Sequence, residues 1–237
     1  VPVAAGASAF WVTLTFAVKL IAALKEAVSV PIVADIHFNY KNYNSKNLRD
    51  DFLERVNALA QTEGFTHLFL TGDILFQYNN ADHETVDFIN NLIKTMGLSL
   101  DHVIIIPGNH DHYRNLAIST LDLAVKNTAT KTINKDLIDN LTQDETAALL
   151  SAFQKFENVY NEIYGHSYYN SGNNPHIFEQ CGELSIIKIN TAWVDQDSGD
   201  GIPLYCGCYQ LQSLLSSYQN EMADHLNIAV GHHPLED

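Results

Sequence analysis

Four consecutive β-branched residues, Val103-Ile104-Ile105-Ile106, run directly into Pro107-Gly108 and leave the chain little choice of fold. A short strand that is apolar on both sides has to be covered on both faces, and the Pro-Gly pair stops it at a tight turn. Asn109-His110-Asp111 is thereby delivered at the carboxyl end of a buried strand. In open α/β sheets that edge is where ligands bind, because loops converge there while the strands hold their bases rigid. An amide oxygen, an imidazole and a carboxylate on adjacent residues suit a metal ion or a phosphate. The plain alternative is a capped turn, in which Asn109 and Asp111 satisfy nearby backbone N–H groups.

Other apolar runs end in the same way. Ser29 to Phe38 closes on Asp35-x-His37, and residues two apart on a strand point to the same side, so a carboxylate and an imidazole face one point. His67-Leu-Phe-Leu-Thr-Gly-Asp73 gives a buried strand, a glycine that allows close approach and a carboxylate at the tip. Leu226 to Val230 ends in Gly231-His232-His233-Pro234. Four buried strands that each end in potential ligands are hard to obtain from packing alone. Oxygen donors mixed with imidazoles suit Mn, Fe or Zn better than Ca or a thiolate cluster. A carboxylate such as Asp73, shared by two ions, would hold them ~4 Å apart, the spacing that serves both oxygens of a phosphoryl transfer.

Between the strands lie expected covering helices. Asn44 to Gly64 carries Leu48, Phe52, Val56 and Leu59 on one face, and Asp82 to Met96 starts with Asp82 as a plausible N-cap. Thr142 to Tyr164 opens with a Thr142/Glu145 capping box, and Gln210 to Met222 also reads as a helix. Asp122 to Leu141 is polar and irregular, Tyr164 to Pro175 reads as a loop or hairpin carrying a surface His166, and Leu184 to Trp193 returns to strand character. The alternation of β and α segments, without repeat or linker, predicts one α/β domain from residue 31 to 237. Residues 1 to 30 are atypical: Val1 to Val18 is uncharged and largely apolar, and Leu14 to Ala27 has the spacing of a packed amphipathic helix rather than an anchor.

Composition narrows the partners. With 46% hydrophobic residues the chain can bury a substantial core, and its formal charge of −15 argues against long nucleic acid or an anionic membrane. A site for a small phosphorylated substrate would then need metal ions to supply positive charge. The three cysteines, Cys181, Cys206 and Cys208, read as reduced thiols of a cytoplasmic protein with a structural role, since Cys206-Gly-Cys208 lacks redox CxxC or zinc-ribbon spacing.

The order D-x-H (Asp35, His37), G-D (Asp73), G-N-H-D (Asn109, His110) and a late G-H (His232) resembles the calcineurin-like metallophosphoesterases, from about Pro31 to Pro234. That resemblance implies an α/β sandwich of two mixed β-sheets flanked by helices, and two divalent metal ions. Asp35 and His37 would bind the first ion, Asp73 would bridge, and Asn109 and His232 would bind the second. His110 would contact the phosphate and act as general acid, while His233 lines the pocket. The implied activity is hydrolysis of a phosphate monoester or diester by a metal-bound hydroxide. The competing class is a non-catalytic phosphate- or protein-binding module on the same fold. Two departures stand out: Phe76 occupies the place of an acid that supports the catalytic imidazole in many members, and no G-H-x-H follows His232. The domain is therefore expected to lack its C-terminal end, and oligomeric state is not indicated. A shorter likeness, of Leu24 to Tyr40 to the iron–sulfur synthase of the non-mevalonate isoprenoid pathway, lacks cysteines at cluster spacing and leaves the later motifs unexplained.

Overall fold

Alternate residues of the Val103–Ile106 strand face different layers, which is why its sequence shows no polar alternation. Val103 and Ile105 join Leu68 and Leu70 in a core beneath helices, while Ile104 and Ile106 join Phe69 in a second core against another sheet. The computed structural model describes residues 31–34, 36, 46–75, 82–126, 132–169, 173–181, 184–195 and 205–233. Asp35, His37, Phe76 and the expected helix at Leu14 to Ala27 lie outside the described residues.

The first sheet has the order β1 (Ile32–Val33), β2 (Leu68–Thr71), β3 (Val103–Ile106), all parallel, with Phe69 opposite both Ile32 and Ile104. The second has the order β4 (Ile177–Cys181), β5 (Leu184–Ile189), β6 (Leu226–Gly231), antiparallel and then parallel. Cys181, Leu184, Ile186 and Val230 face Phe69, Ile104 and Ile106 and form the seam between the sheets. Helices α1 (Lys46–Glu63) and α2 (Asp82–Met96) cover the other face of the first sheet, where Val56, Ile89, Leu92 and Ile93 are buried. This is the sandwich of two sheets flanked by helices that the family resemblance implies, with the mixed pairing confined, among the described residues, to the second sheet.

Several expectations need correction in detail. Asp82 is the first residue of α2 rather than its cap. The segment expected to be irregular, Asp122 to Leu141, holds the last turn of α3 (Arg114–Lys126) and all of α4 (Lys135–Asp139). In α3 only Ala117, Leu121 and Ala124 are buried while Leu116 and Leu123 are exposed, so the apolar stripe is blurred. The Thr142/Glu145 capping box is present, but the helix it opens is broken into α5 (Gln143–Leu150) and α6 (Gln154–Tyr164) by a tighter turn at Ser151–Phe153. Between β5 and β6 the chain passes through α7 (Cys208–Ser217) and α8 (Gln219–Met222). β6 is not a strand buried on both faces: Leu226, Asn227 and Ala229 are exposed, because it forms an edge among the described strands. No helix among the described residues is long and apolar enough to cross a membrane.

Buried polar groups fix the loops between these layers. The Glu157 carboxylate accepts the backbone N–H groups of Tyr168 and Tyr169 and the Ser167 hydroxyl, folding the chain back after α6. His166 stays exposed beside that bend, as expected. Lys188 of β5 is fully buried, ion-paired with Glu179 and set over the rings of Tyr160 and Tyr168. His176, 1% exposed, donates from Nε2 to the Cys206 carbonyl at 2.6 Å and pins the approach to α7.

Burial pushes the His176 imidazole down to about 4, against the opposing pull of the Cys206 and Gly207 backbone. The folded chain thus keeps this ring neutral in a range where the unfolded chain protonates it, near 6.5. Its contribution is intact above that value and is lost as the pH falls from 6.5 to about 4, by on the order of 3 kcal/mol. In a urea titration repeated across this range, His176→Gln should flatten the fall in stability; an unchanged slope would assign it to other groups.

Candidate metal and phosphate site

The carboxyl ends of β2 and β3 come together through two glycines. Gly72 has φ +98°, and a Cβ there would lie 2.7 Å from His232 Nδ1 and 2.8 Å from the Gly108 backbone. A Cβ on Gly108 would in turn run into the backbone nitrogen and carboxylate of Asp73. Only glycine permits both contacts. The turn also places Asp73 itself at φ 53°, a left-handed conformation that Asp tolerates better than most residues and that aims its carboxylate across the strand ends.

Asp111 holds the two loops in register. It is fully buried, and its carboxylate accepts the N–H of Gly108 at 2.8 Å, of Leu75 at 2.6 Å and of Ile74 at 3.2 Å. One partner is local, as the capped-turn alternative supposes; the other two belong to the loop after β2. Burial, and then the nearby Asp73 charge, push the Asp111 carboxyl up to about 7, with the three N–H bonds pulling the other way.

Around this frame four of the expected residues, Asp73, Asn109, His110 and His232, come together. Asp73 Oδ1 accepts the His110 backbone N–H at 2.8 Å and lies 3.4 Å from His232 Nε2. His232 Nε2 is 3.0 Å from Asn109 Oδ1, and Nδ1–H donates to the Thr71 carbonyl at 2.8 Å. The His110 ring places Nε2 3.9 Å from Asp73 Oδ2, on the rim of the same cluster. Burial works to raise the Asp73 carboxyl, yet the His232 hydrogen bond and charge and the His110 N–H hold it below the ordinary carboxylate range. Burial likewise opposes a charge on His232, but Asp73 and the Thr71 carbonyl outweigh it and raise the imidazole to about 9. Both ring nitrogens face oxygen atoms, Nδ1 the Thr71 carbonyl and Nε2 Asn109 Oδ1.

The same donors fit a divalent ion. A carboxylate oxygen, an amide oxygen and an imidazole nitrogen meet at separations of 3.0 and 3.4 Å, those of neighbouring ligands around an ion with bonds of ~2.1 Å. The Nδ1–H bond to a carbonyl fixes the His232 tautomer that exposes Nε2, as second-shell partners of metal-binding histidines do. Among the described residues no group of three His, Cys, Asp or Glu side chains forms a metal cluster, and the third donor here is the Asn109 amide.

His233 stands beside this cluster, its ring centroid 4.7 Å from that of His232. The Thr191 hydroxyl accepts its backbone N–H at 3.0 Å and lies 3.0 Å from its Nδ1. Burial and then the His232 charge lower the His233 imidazole. Thr191 is placed by its neighbour Asn190, which donates to the Tyr169 hydroxyl at 2.7 Å and accepts the Ala192 N–H at 3.0 Å. Sequence reasoning passed over Thr191, although a hydroxyl just past the end of β5 repeats the signal used for the other strands.

These geometries agree with similarity to known proteins. Residues 29–237 match the family model of the calcineurin-like phosphoesterases, and the chain belongs to that family. It is 29% identical over 205 residues, 86% of its length, to a protein of Bacillus subtilis (strain 168) called an uncharacterized metallophosphoesterase-like protein, YydB. The chain spans 42% of the length of that relative.

Asp111→Ala should strand three buried N–H donors, each costing about 1–3 kcal/mol. The urea midpoint should fall sharply, and a variant as stable as the parent would show that water or other carbonyls replace the carboxylate.

Proposed function

We propose that the chain hydrolyses a small phosphorylated substrate, a phosphate monoester or diester, with two divalent cations of Mn, Fe or Zn. The observation that carries this reading is the convergence of Asp73, Asn109 and His232 at one point with His110 on its rim. Asp73, Asn109 and His232 would hold one cation; Asp73, together with Asp35 and His37 of the D-x-H motif, would hold the other. Divalent cations in such a place lower the pKa of a water and neutralise charge on phosphoryl oxygens.

The protein's own groups then have distinct tasks. The Asp73 carboxylate supplies the charge that draws cations to the strand ends, and Asp111 keeps its loop from drifting. Asn109 adds a neutral oxygen, so the cluster does not become too acidic to receive an anionic substrate. His110 faces the phosphoryl group and gives a proton to the departing ester oxygen, which avoids release of an alkoxide. The His110 backbone N–H donates to Asp73 Oδ1 and fixes the main chain from which the imidazole projects. His233, held by Thr191, contacts a phosphoryl oxygen from the other side. The acidic surface disfavours long nucleic acid and leaves small esters as the substrate class.

Asp73→Asn should abolish turnover of aryl phosphate mono- and diesters and lower the metal content of the purified chain, because an amide cannot supply the bridging charge. Unchanged metal content and activity would overturn the shared-carboxylate arrangement. His110→Ala should lower turnover by ~10²–10⁴-fold with metal content intact, as expected for a proton donor that is not a ligand. Loss of metal in that variant would make it a ligand instead, and a parent chain that binds metal but turns over neither ester would mark a non-catalytic binding module.

A further inference from the structure

The pair Cys206 and Cys208 lies away from the strand ends described above. Gly207 between them has φ 79° and ψ 83°, a left-handed bend that keeps the two cysteines close along the chain. In a compact left-handed bend, Cα atoms two residues apart lie about 5–6 Å from one another, within the window a disulfide requires. The bend is fixed from below. A Cβ on Gly207 would meet the Gln210 side chain at 2.6 Å and the Trp193 ring at 2.9 Å, so the chain is held against a buried indole. The Cys206 carbonyl accepts both His176 Nε2–H at 2.6 Å and Trp193 Nε1–H at 3.2 Å.

The two thiols differ in access. Cys208 is exposed and is the first residue of α7, with the Lys135 ammonium, itself paired to Asp139, within electrostatic reach. Cys206 is only partly exposed, and burial and then Cys208 raise its thiol. Cys181, by contrast, is buried in the seam between the sheets, and its S–H donates to the Asp101 carbonyl. One sulfur is placed to meet a reagent and the other to complete the reaction.

We propose that Cys206-Gly207-Cys208 is a thiol–disulfide exchange site that takes a low-molecular-weight disulfide as oxidant. Cys208 sulfur, losing its proton to solvent, attacks one sulfur of the small disulfide, forming a mixed disulfide and releasing the first small thiolate. Cys206 sulfur, also losing its proton, then attacks Cys208 sulfur, forming the internal Cys206–Cys208 bond and releasing the second thiolate. The two released thiolates take up the two protons. The protein loses two hydrogens and two electrons, and the small disulfide is reduced to two thiols. Spacing of one residue rather than the two of the familiar redox pair is compatible with this because the left-handed bend at Gly207 keeps the two Cα atoms within the separation a disulfide spans.

The test uses the whole chain with oxidised glutathione as the probe, followed by alkylation and mass spectrometry. The expected product has one free thiol, at Cys181, and a peptide holding Cys206 and Cys208 lighter by two hydrogens, restored by a strong dithiol reductant. Cys206→Ser should stop at the glutathione adduct on Cys208, and Cys208→Ser should react at least about tenfold more slowly, since rate follows access to the attacking sulfur. The wild-type result stands without the variants. Three free thiols after exposure would overturn the proposal, as would glutathione left on both Cys206 and Cys208 or a bond involving Cys181.

Discussion

Two buried carboxylates, Asp73 and Asp111, lie near one another at the ends of β2 and β3, and the cost of keeping both there shapes much of their surroundings. Asp111 is offset by three backbone N–H donors, two of them from the loop that carries Asp73. Asp73 is offset by the His110 N–H and by the His232 ring, which comes from the other sheet. Glycines at 72 and 108 are required because the groups that neutralise the charges must approach within van der Waals contact. Electrostatics therefore sets the local backbone: the loops take the only conformation in which both acids are satisfied. The same excess of negative charge creates a place for positive charge, which an imidazolium or a divalent ion can fill.

Much of this was legible in the sequence because strand-end chemistry is local. Asp73, Asn109 and His232 each follow an apolar run, and such a run specifies where its own end will lie, so their convergence needed only the assumption of a common sheet edge. The division into two sheets was not legible from the runs themselves, since pairing order is a property of distant segments; it came from the family resemblance. β4 escaped notice because Ile177-Phe-Glu-Gln-Cys181 is short and half exposed, with Glu179 spent on buried Lys188. α3 escaped because two of its leucines face outward.

Asp111 shows the limit most clearly. Its position three residues after Gly108 suggested a local turn, and that bond exists. Its bonds to Ile74 and Leu75 span 37 and 36 positions, and no nearby pattern announces them. A residue that looks like a turn former is in fact the joint between two loops.

His232 reaches Thr71 across 161 positions of sequence and from one sheet to the other. A contact of that span cannot form until both sheets exist and have docked on the seam of Phe69, Ile104, Ile106 and Ile186, so the cluster is among the last features to assemble as the chain folds. The converse holds in the folded molecule. A fluctuation that parts the sheets by a few ångströms would leave each sheet's hydrogen bonds whole and yet withdraw the imidazole from Asp73 and Asn109. The chemistry of the strand ends is thus tied to the least local packing in the protein, and it would vanish in a partly opened state that still keeps most of its secondary structure.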